Sequence, residues 1–256
     1  MTPEAAAGAA LDGLGPGACV LVAVSGGGDS LVLLHAAARA AGPRGIVVLA
    51  ATVDHGLRAG SAAEAEAVGR ACAALGVPHA VLRWEGAAGG NLQERAREAR
   101  RRLLGARAQA VGAGLVLLGH TADDQAETVL LRLARGSGVD GLSGMPAAFE
   151  AEGVRWARPF LGLSREALRD WLRGRGIPWA EDPSNDDPRF DRARARAMAG
   201  ALAGLGLTRG RLLRTAAHMA AARRTLAREA VRAAAGAVRQ EGEALLVARA
   251  LLDRLG

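Results

Sequence analysis

Apolar and polar positions alternate along this chain in blocks that read as strands and helices in turn. Cys19–Val24 is an apolar, Val-rich run about one strand long, broken at once by a polar, Gly-rich turn. Leu31–Arg39 then reads as a buried helix, and Ile46–Val53 as a second buried strand. Ala62–Leu75 has helical spacing and is closed by Gly76, with Pro78 beyond it. His79–Leu82 is a short third strand, and Asn91–Ala110 a long helix rich in Arg and Glu with many i,i+4 charge pairs. Leu115–Leu118 is a fourth strand, followed by a helix over Asp123–Arg135, and Val154–Trp156 a fifth, at the sheet edge. Strands alternating with helices predict an α/β fold: a doubly wound, mostly parallel five-stranded sheet with helices on both faces.

From Ser164 the pattern changes. Leu163–Arg175 reads as a helix, residues 181–188 as a polar loop, and Asp191–Leu205 as a basic helix. Leu207–Arg239 reads as two Ala/Arg-rich helices, with Thr208 as a candidate N-cap. The last segment, Glu243–Leu255, is short and amphipathic, without an identifiable partner. These shifts divide the chain near residue 200, into a domain of residues 1–200 and a smaller, helical, basic region of residues 201–256.

Composition adjusts this picture in two places. Half of the 256 residues are hydrophobic but only 3% are aromatic, so the core is built of Ala, Val and Leu. The net charge is +7, and every basic side chain is Arg. A basic surface suits a nucleic-acid partner; G/C-rich coding, which inflates Ala, Gly and Arg together, accounts for the charge equally well. The two cysteines, Cys19 and Cys72, form neither a CxxC nor a zinc pattern, so a reduced, cytoplasmic protein is expected. Met1–Gly17 lacks the basic start and apolar run of a signal peptide, and no stretch reaches the apolar length of a membrane span, so no membrane partner is expected.

The chemistry begins where the first strand ends, at Ser25-Gly26-Gly27-Gly28-Asp29-Ser30. Strand, Gly turn and helix together make a phosphate cradle: glycines let backbone N–H groups approach the anion, and the helix N-terminus supplies partial positive charge. Ser25 and Ser30 add hydroxyls, and Asp29 a carboxylate able to hold Mg²⁺. A Walker A loop would end in Gly-Lys-Ser/Thr, and the chain contains no lysine. A dinucleotide fingerprint would read G-x-G-x-x-G, which this loop does not.

Two further strand ends carry polar residues. The second strand runs into Asp54-His55-Gly56-Leu57-Arg58, suited to nucleotide contacts or simply a polar turn. The fourth runs into His120-Thr121-Ala122-Asp123-Asp124-Gln125-Ala126-Glu127. Asp124 and Glu127 are i,i+3, and Asp123 and Glu127 i,i+4, so the acids share a helix face. Three acids beside a phosphate loop would repel a polyphosphate unless a cation intervenes, either Mg²⁺ or an amine. On the Arg-rich helix most charges form a solvated face, but Arg97 and Arg100 can point together at phosphate. In a parallel sheet these strand ends converge on one crevice.

The Ser-Gly-Gly-x-Asp-Ser pattern resembles the pyrophosphate loop of the N-type ATP pyrophosphatases. In order along the chain, SGGGDS (25–30), VDHGLR (53–58), NLQERAREAR (91–100), the block Gly119–Met145, Arg158-Pro159 and EDPSN (181–185) resemble the tRNA(Ile)-lysidine synthetase family. The resemblance covers most of residues 20–190 and is most specific in the long block and in EDPSN. It implies a PP-loop, Rossmann-like ATPase fold, ATP and Mg²⁺ as cofactors, and as partners free L-lysine and tRNA(Ile) with a CAU anticodon, with a homodimer left open. The reaction it implies adenylates the C2 oxygen of the wobble cytidine and then replaces AMP with the ε-amine of lysine. Carried onto this chain, Ser25, Gly26, Gly27, Gly28, Asp29 and Ser30 would hold ATP together with Asp54 and His55. Asp29 would take part in Mg²⁺ binding, and Arg100 would contact phosphate or the activated intermediate. Asp124 and Glu127 would orient the lysine ammonium, one of them taking its proton.

The chain departs from the family pattern at Arg101, where Tyr is usual, and at Ala193, within a segment that often reads Arg-Asn-x-Ile-Arg. A tRNA thiolase and an amide-forming ATP pyrophosphatase use the same loop and remain alternatives, as does a nucleotide-binding module without activity.

Overall fold

A computed structural model of the chain describes residues 1–56, 61–84, 86, 92–180, 191–235, 237–241 and 244–247. Leu57, Arg58, Asn91, the EDPSN segment and the chain beyond Val247 therefore lie outside the described residues. The rest groups into two compact units, one of Met1–Gln125 and Met145–Arg194, the other of Ala126–Gly144 and Ala195–Gly256.

The first unit opens with a helix absent from the sequence reading, α1 (Pro3–Ala10), capped by the Thr2 hydroxyl. There follow β1 (Cys19–Ala23), α2 (Gly28–Ala41), β2 (Val47–Asp54), α3 (Ser61–Ala74), β3 (His79–Arg83), α4 (Leu92–Ala110) and β4 (Ala113–Leu117). Helix α5 (Ala122–Ala134) begins in this unit, and the single turn α6 (Val139–Leu142) belongs to the second. The chain returns through β5 (Ala148–Ala151), β6 (Val154–Ala157) and α7 (Arg165–Arg173).

The sheet order is β3-β2-β1-β4-β6-β5, parallel except for the antiparallel β5–β6 pair. The sheet is mostly parallel, as expected, but has six strands rather than five, and Val154–Trp156 is not the edge. The added strand is joined to β6 by a two-residue turn, Glu152-Gly153, with both φ angles positive at 52° and 65°. Such turns match the twist of a hairpin, and the Glu-Gly pair was the available signal.

Strand β1 shows why the sheet is double-wound. Val20 and Val22 pack on one face with α1, α2, α3 and α7; Leu21 and Ala23 pack on the other with Leu104 and Ala108 of α4 and with Trp156. Both sets are almost fully buried, which is why the strand reads as a continuous apolar run. Each of the Val and Leu side chains contributes about 1.5–3 kcal/mol by leaving water. Connections from β1 run outward through β2 to β3, whereas β4 lies on the other side of β1. The order reverses there, and the carboxyl ends of β1 and β4 flank the crevice that this topology creates.

The second unit holds the remainder of α5, then α6, α8 (Asp191–Ala197, which begins in the first unit), α9 (Ala199–Gly204) and α10 (Arg209–Ala235). Ala126 and Val129 pack with Leu212 and Ala216. Here three expectations change. Asp191–Leu205 is two short helices. Leu207–Arg239 is one 27-residue helix followed by a strand, β7 (Val238–Glu241), because Ala and Arg favour helix throughout and no breaker interrupts them. Residues 244–247 form β8 (Ala244–Val247), antiparallel to β7, so the terminal segment does have a partner. Thr208 does cap α10, its hydroxyl accepting the Arg211 N–H at 3.4 Å. Among the described residues, no helix is long and apolar enough to cross a membrane.

Candidate active site

The phosphate loop forms as the motif predicts, between β1 and α2. Gly26 sits at φ +91°, a conformation that L side chains rarely adopt, and turns the chain into the helix. Gly27 is the N-cap of α2, and it also forms a parallel bridge with Ala180. The Ser30 hydroxyl donates to the Gly27 carbonyl at 2.8 Å and accepts the Ser25 N–H at 3.1 Å. Ser30 therefore braces the loop, whereas Ser25 is exposed at its mouth. Gly28 lies close against Leu172 and Trp179, where a Cβ would come within 3.3 Å of both side chains.

At the end of β2, the Asp54 carboxylate accepts the Gly56 N–H at 2.9 Å and shapes the turn. His55 meets Trp84 edge-to-face at 5.6 Å, and its buried Nδ1 has no hydrogen-bond partner among the described residues. Burial lowers the His55 pKa, and the positive charge of Arg100 lowers it further. Burial likewise lowers His120 at the end of β4, with Arg158, Arg100 and Arg192 adding to the effect against Asp124. Arg100 of α4 thus acts on both strand ends at once, which ties the second and fourth strand-end motifs to one place. Arg101, where the family pattern has Tyr, pairs with Glu152 at 2.9 Å; Ala193 is buried.

The two loops at the switch point touch. A Cβ added to Gly119 would lie 3.3 Å from the backbone of Asp29 and Ser30, so any larger residue would push the β4 loop a few tenths of an ångström from the start of α2. Beyond it, Thr121 and Asp124 form a capping box on α5. The Thr121 hydroxyl accepts the Asp124 N–H at 3.3 Å, while Oδ2 of Asp124 accepts the Thr121 N–H at 2.8 Å and its hydroxyl at 2.8 Å. Asp123 caps a different helix, accepting the backbone N–H of Arg165 at 2.7 Å.

One side chain joins these pieces, and sequence reasoning did not single it out. Arg165 donates through Nε to Oδ2 of Asp29 at 3.3 Å and through Nη2 to Oδ1 of Asp124 at 3.1 Å. Burial lifts the Asp29 carboxyl to about 6, Arg165 pulling it down and the neighbouring Asp124 pushing it up. For Asp124, burial alone would raise the pKa, but the Thr121 hydrogen bonds and Arg165 outweigh it and the pKa is lowered. The available signal was a basic residue directly after the Ser164 N-cap, at the helix end where the dipole disfavours a cation.

Asp29, Asp124 and the phosphate loop are thus brought together, and the Arg100 charge disfavours protonation of both His55 and His120. Glu127, one turn further along α5, lies in the second unit, is buried, and pairs with Arg196 at 3.0 Å. Among the described residues, no group of three or more His, Cys, Asp and Glu is arranged to hold a metal ion. Two acids beside a phosphate cradle still fit Mg²⁺, which takes one or two carboxylates and completes its shell with substrate phosphates and water.

The chain is similar to proteins already known. The chain is 54% identical over 207 residues to a tRNA(Ile)-lysidine synthase of Ruegeria pomeroyi, covering 80% of this chain and 49% of the relative. It is 48% identical over 209 residues to that of Methylobacterium nodulans, covering 80% of this chain and 61% of the relative. The chain thus spans about half to three-fifths of the length of these curated relatives. Among solved structures, a U34-tRNA thiolase from Methanococcus maripaludis with its 4Fe-4S cluster superposes with a TM-score of 0.71 at 16% identity, over 85% of this chain and 77% of that one. An NMN synthetase from Francisella tularensis gives 0.52 at 11%, over 86% and 96%; at these identities the likeness is one of fold. The family model of the PP-loop domain matches residues 9–200, three quarters of the chain, and on that match the chain belongs to the PP-loop family.

Proposed function

We propose that this protein ligates free lysine to C2 of the wobble cytidine in the CAU anticodon of tRNA(Ile), using ATP and forming lysidine. The observation that carries the reading is the 54% identity, over 207 residues, to a relative bearing the lysidine synthase name. The cytidine C2 is a poor electrophile, so its oxygen must first become a leaving group. That oxygen attacks the α-phosphate of ATP and pyrophosphate leaves; the lysine ε-amine then attacks C2, AMP leaves with the oxygen, and the amine loses a proton.

The chain's residues divide this work. Gly26, Gly27, Gly28 and Ser25 surround the departing pyrophosphate, on a loop that Ser30 braces; Asp54 and His55 face the nucleotide from β2. Asp29 would hold Mg²⁺, which when bound neutralises phosphate charge. Arg100, half-buried and acting on both His55 and His120, suits the phosphate or the adenylated intermediate. Asp124 and Glu127, one turn apart on α5, bind and orient the lysine ammonium, and one of them accepts its proton. Both already hold guanidinium groups, which carry the same charge as an ammonium. The basic region after residue 200 adds tRNA contacts, and the enzyme works in the cytoplasm.

A sulfur-transfer reading of the same loop is disfavoured by the thiols. Burial pushes Cys72 to about 11 and also raises Cys19, so neither is a ready thiolate. The deciding experiment is incorporation of radiolabelled lysine into unmodified tRNA(Ile) with ATP. Label in the tRNA, dependent on ATP and on cytidine at the wobble position, is the expected result; its absence with an active nucleotide site would discard the reaction.

A further inference from the structure

Helices α2, α5 and α7 each begin at the same place in the first unit, presenting Asp29, Asp123 with Asp124, and Arg165 in their first turns. The arrangement is built rather than incidental. Ser164 caps α7 through its hydroxyl at 3.2 Å, and the Asp123 carboxylate takes the Arg165 N–H at 2.7 Å, so the backbone that carries Arg165 is anchored to the start of α5. The guanidinium then reaches two carboxylates from different helices, and its side chain is only 20% exposed. A cation at the first residue of a helix opposes the helix dipole. Residues that break a local rule in this way are those whose tertiary role outweighs it.

We propose that Arg165 is a positioning residue of the nucleotide site, whose planar fork holds the Asp29 and Asp124 carboxylates in one fixed arrangement. The two acids face each other across this guanidinium and would otherwise repel. Asp124 is already held on its other oxygen by Thr121, so the fork transfers the rigidity of the α5 capping box to Asp29 on the phosphate loop. The effect of Arg165 on nucleotide is therefore exerted through Asp29. A lysine at this position would keep the charge but not the two-donor fork, and could serve only one acid well.

The test is calorimetric titration of the full chain with α,β-methylene-ATP and Mg²⁺, with thermal unfolding followed in parallel. Arg165→Gln should weaken nucleotide binding at least tenfold, and Arg165→Lys should recover part of the loss while melting no higher than Arg165→Gln. In the native chain Asp29→Asn should cost several-fold in affinity; in the Arg165→Gln background it should cost almost nothing, because the carboxylate it removes is no longer held. Native affinity in Arg165→Gln overturns the proposal. So does an Asp29→Asn effect of equal size in both backgrounds, which is what a purely structural Arg165 would give. The inference rests on the nucleotide site alone. If lysine incorporation fails in the native chain while the titrations behave as stated, the reaction proposed above is lost and the role of Arg165 stands.

Discussion

Gly27 and Gly119 show how differently two glycines of one site constrain it. Gly27 has an ordinary extended conformation, φ −69° and ψ 156°, and a Cβ there would meet only the Ser25 hydroxyl at 3.8 Å. Gly27→Val should therefore still fold, with only the modest loss of stability a β-branched residue costs at a helix N-cap, yet lose ATP-dependent AMP formation, because the new side chain fills the space the phosphates need. Normal turnover would mean that the cradle has been misplaced. Gly119→Ala, by contrast, forces a Cβ against backbone at 3.3 Å and should lower both melting temperature and nucleotide affinity. For the amine site, Glu127→Gln removes a charge-assisted contact, a loss of about 1.5–3 kcal/mol or roughly ten- to more than a hundredfold in affinity. The KM for lysine should rise accordingly while adenylation of the tRNA survives, and loss of adenylation at unchanged lysine KM would reassign Glu127 to the first half-reaction.

At the scale of the element, α5 combines two demands in Asp124. Its carboxylate closes the capping box with Thr121 and also faces Arg165. Asp124→Asn should thus raise the lysine KM, like the Glu127 variant, but also destabilise the fold by about 1 kcal/mol through the weakened cap. The pH dependence separates the two effects. The Asp124 pKa is lowered in the folded state, so its contribution is complete above the unfolded value of 3.8 and is lost as pH falls through the lower, folded value. The stability gap between native and Asp124→Asn chains should not narrow between pH 7 and about 5, where the carboxyl that titrates is Asp29, pushed up by Asp124, and should close only in more acidic solution. A gap that closed near neutrality would exclude this carboxylate as the source.

For the molecule as a whole, a charge of +7 carried entirely by arginine permits both an RNA-binding surface and a coding bias. The structure narrows the candidates. Arg194 pairs with Asp191 and Arg196 with Glu127; Arg209, Arg211 and Arg214 are all exposed along the start of α10. Replacing those three with Gln should weaken tRNA binding and reduce its salt dependence, by about 0.7–0.9 in the log–log slope for each lost phosphate contact. ATP affinity should not change. Binding and slope equal to the native values would return these arginines to coding bias.

The sequence by itself determined the strands and helices of the sheet, because buried parallel strands are written as unbroken apolar runs. It also determined the phosphate loop, because a Gly-rich turn between strand and helix is a local requirement satisfied by local residues. It did not disclose β5, whose four residues carry only a Glu-Gly turn as signal, nor that Leu207–Arg239 is one helix and a strand. Tertiary structure alone decided which acids share a site. Helical spacing grouped Asp123, Asp124 and Glu127 as equals, yet Asp123 anchors α7, Asp124 joins Asp29 through Arg165, and Glu127 pairs with Arg196. Arg165 stands 136 positions from Asp29 and 41 from Asp124. Periodicity reports only neighbours within an element, and no local pattern can show that residues so far apart hold one another's charge.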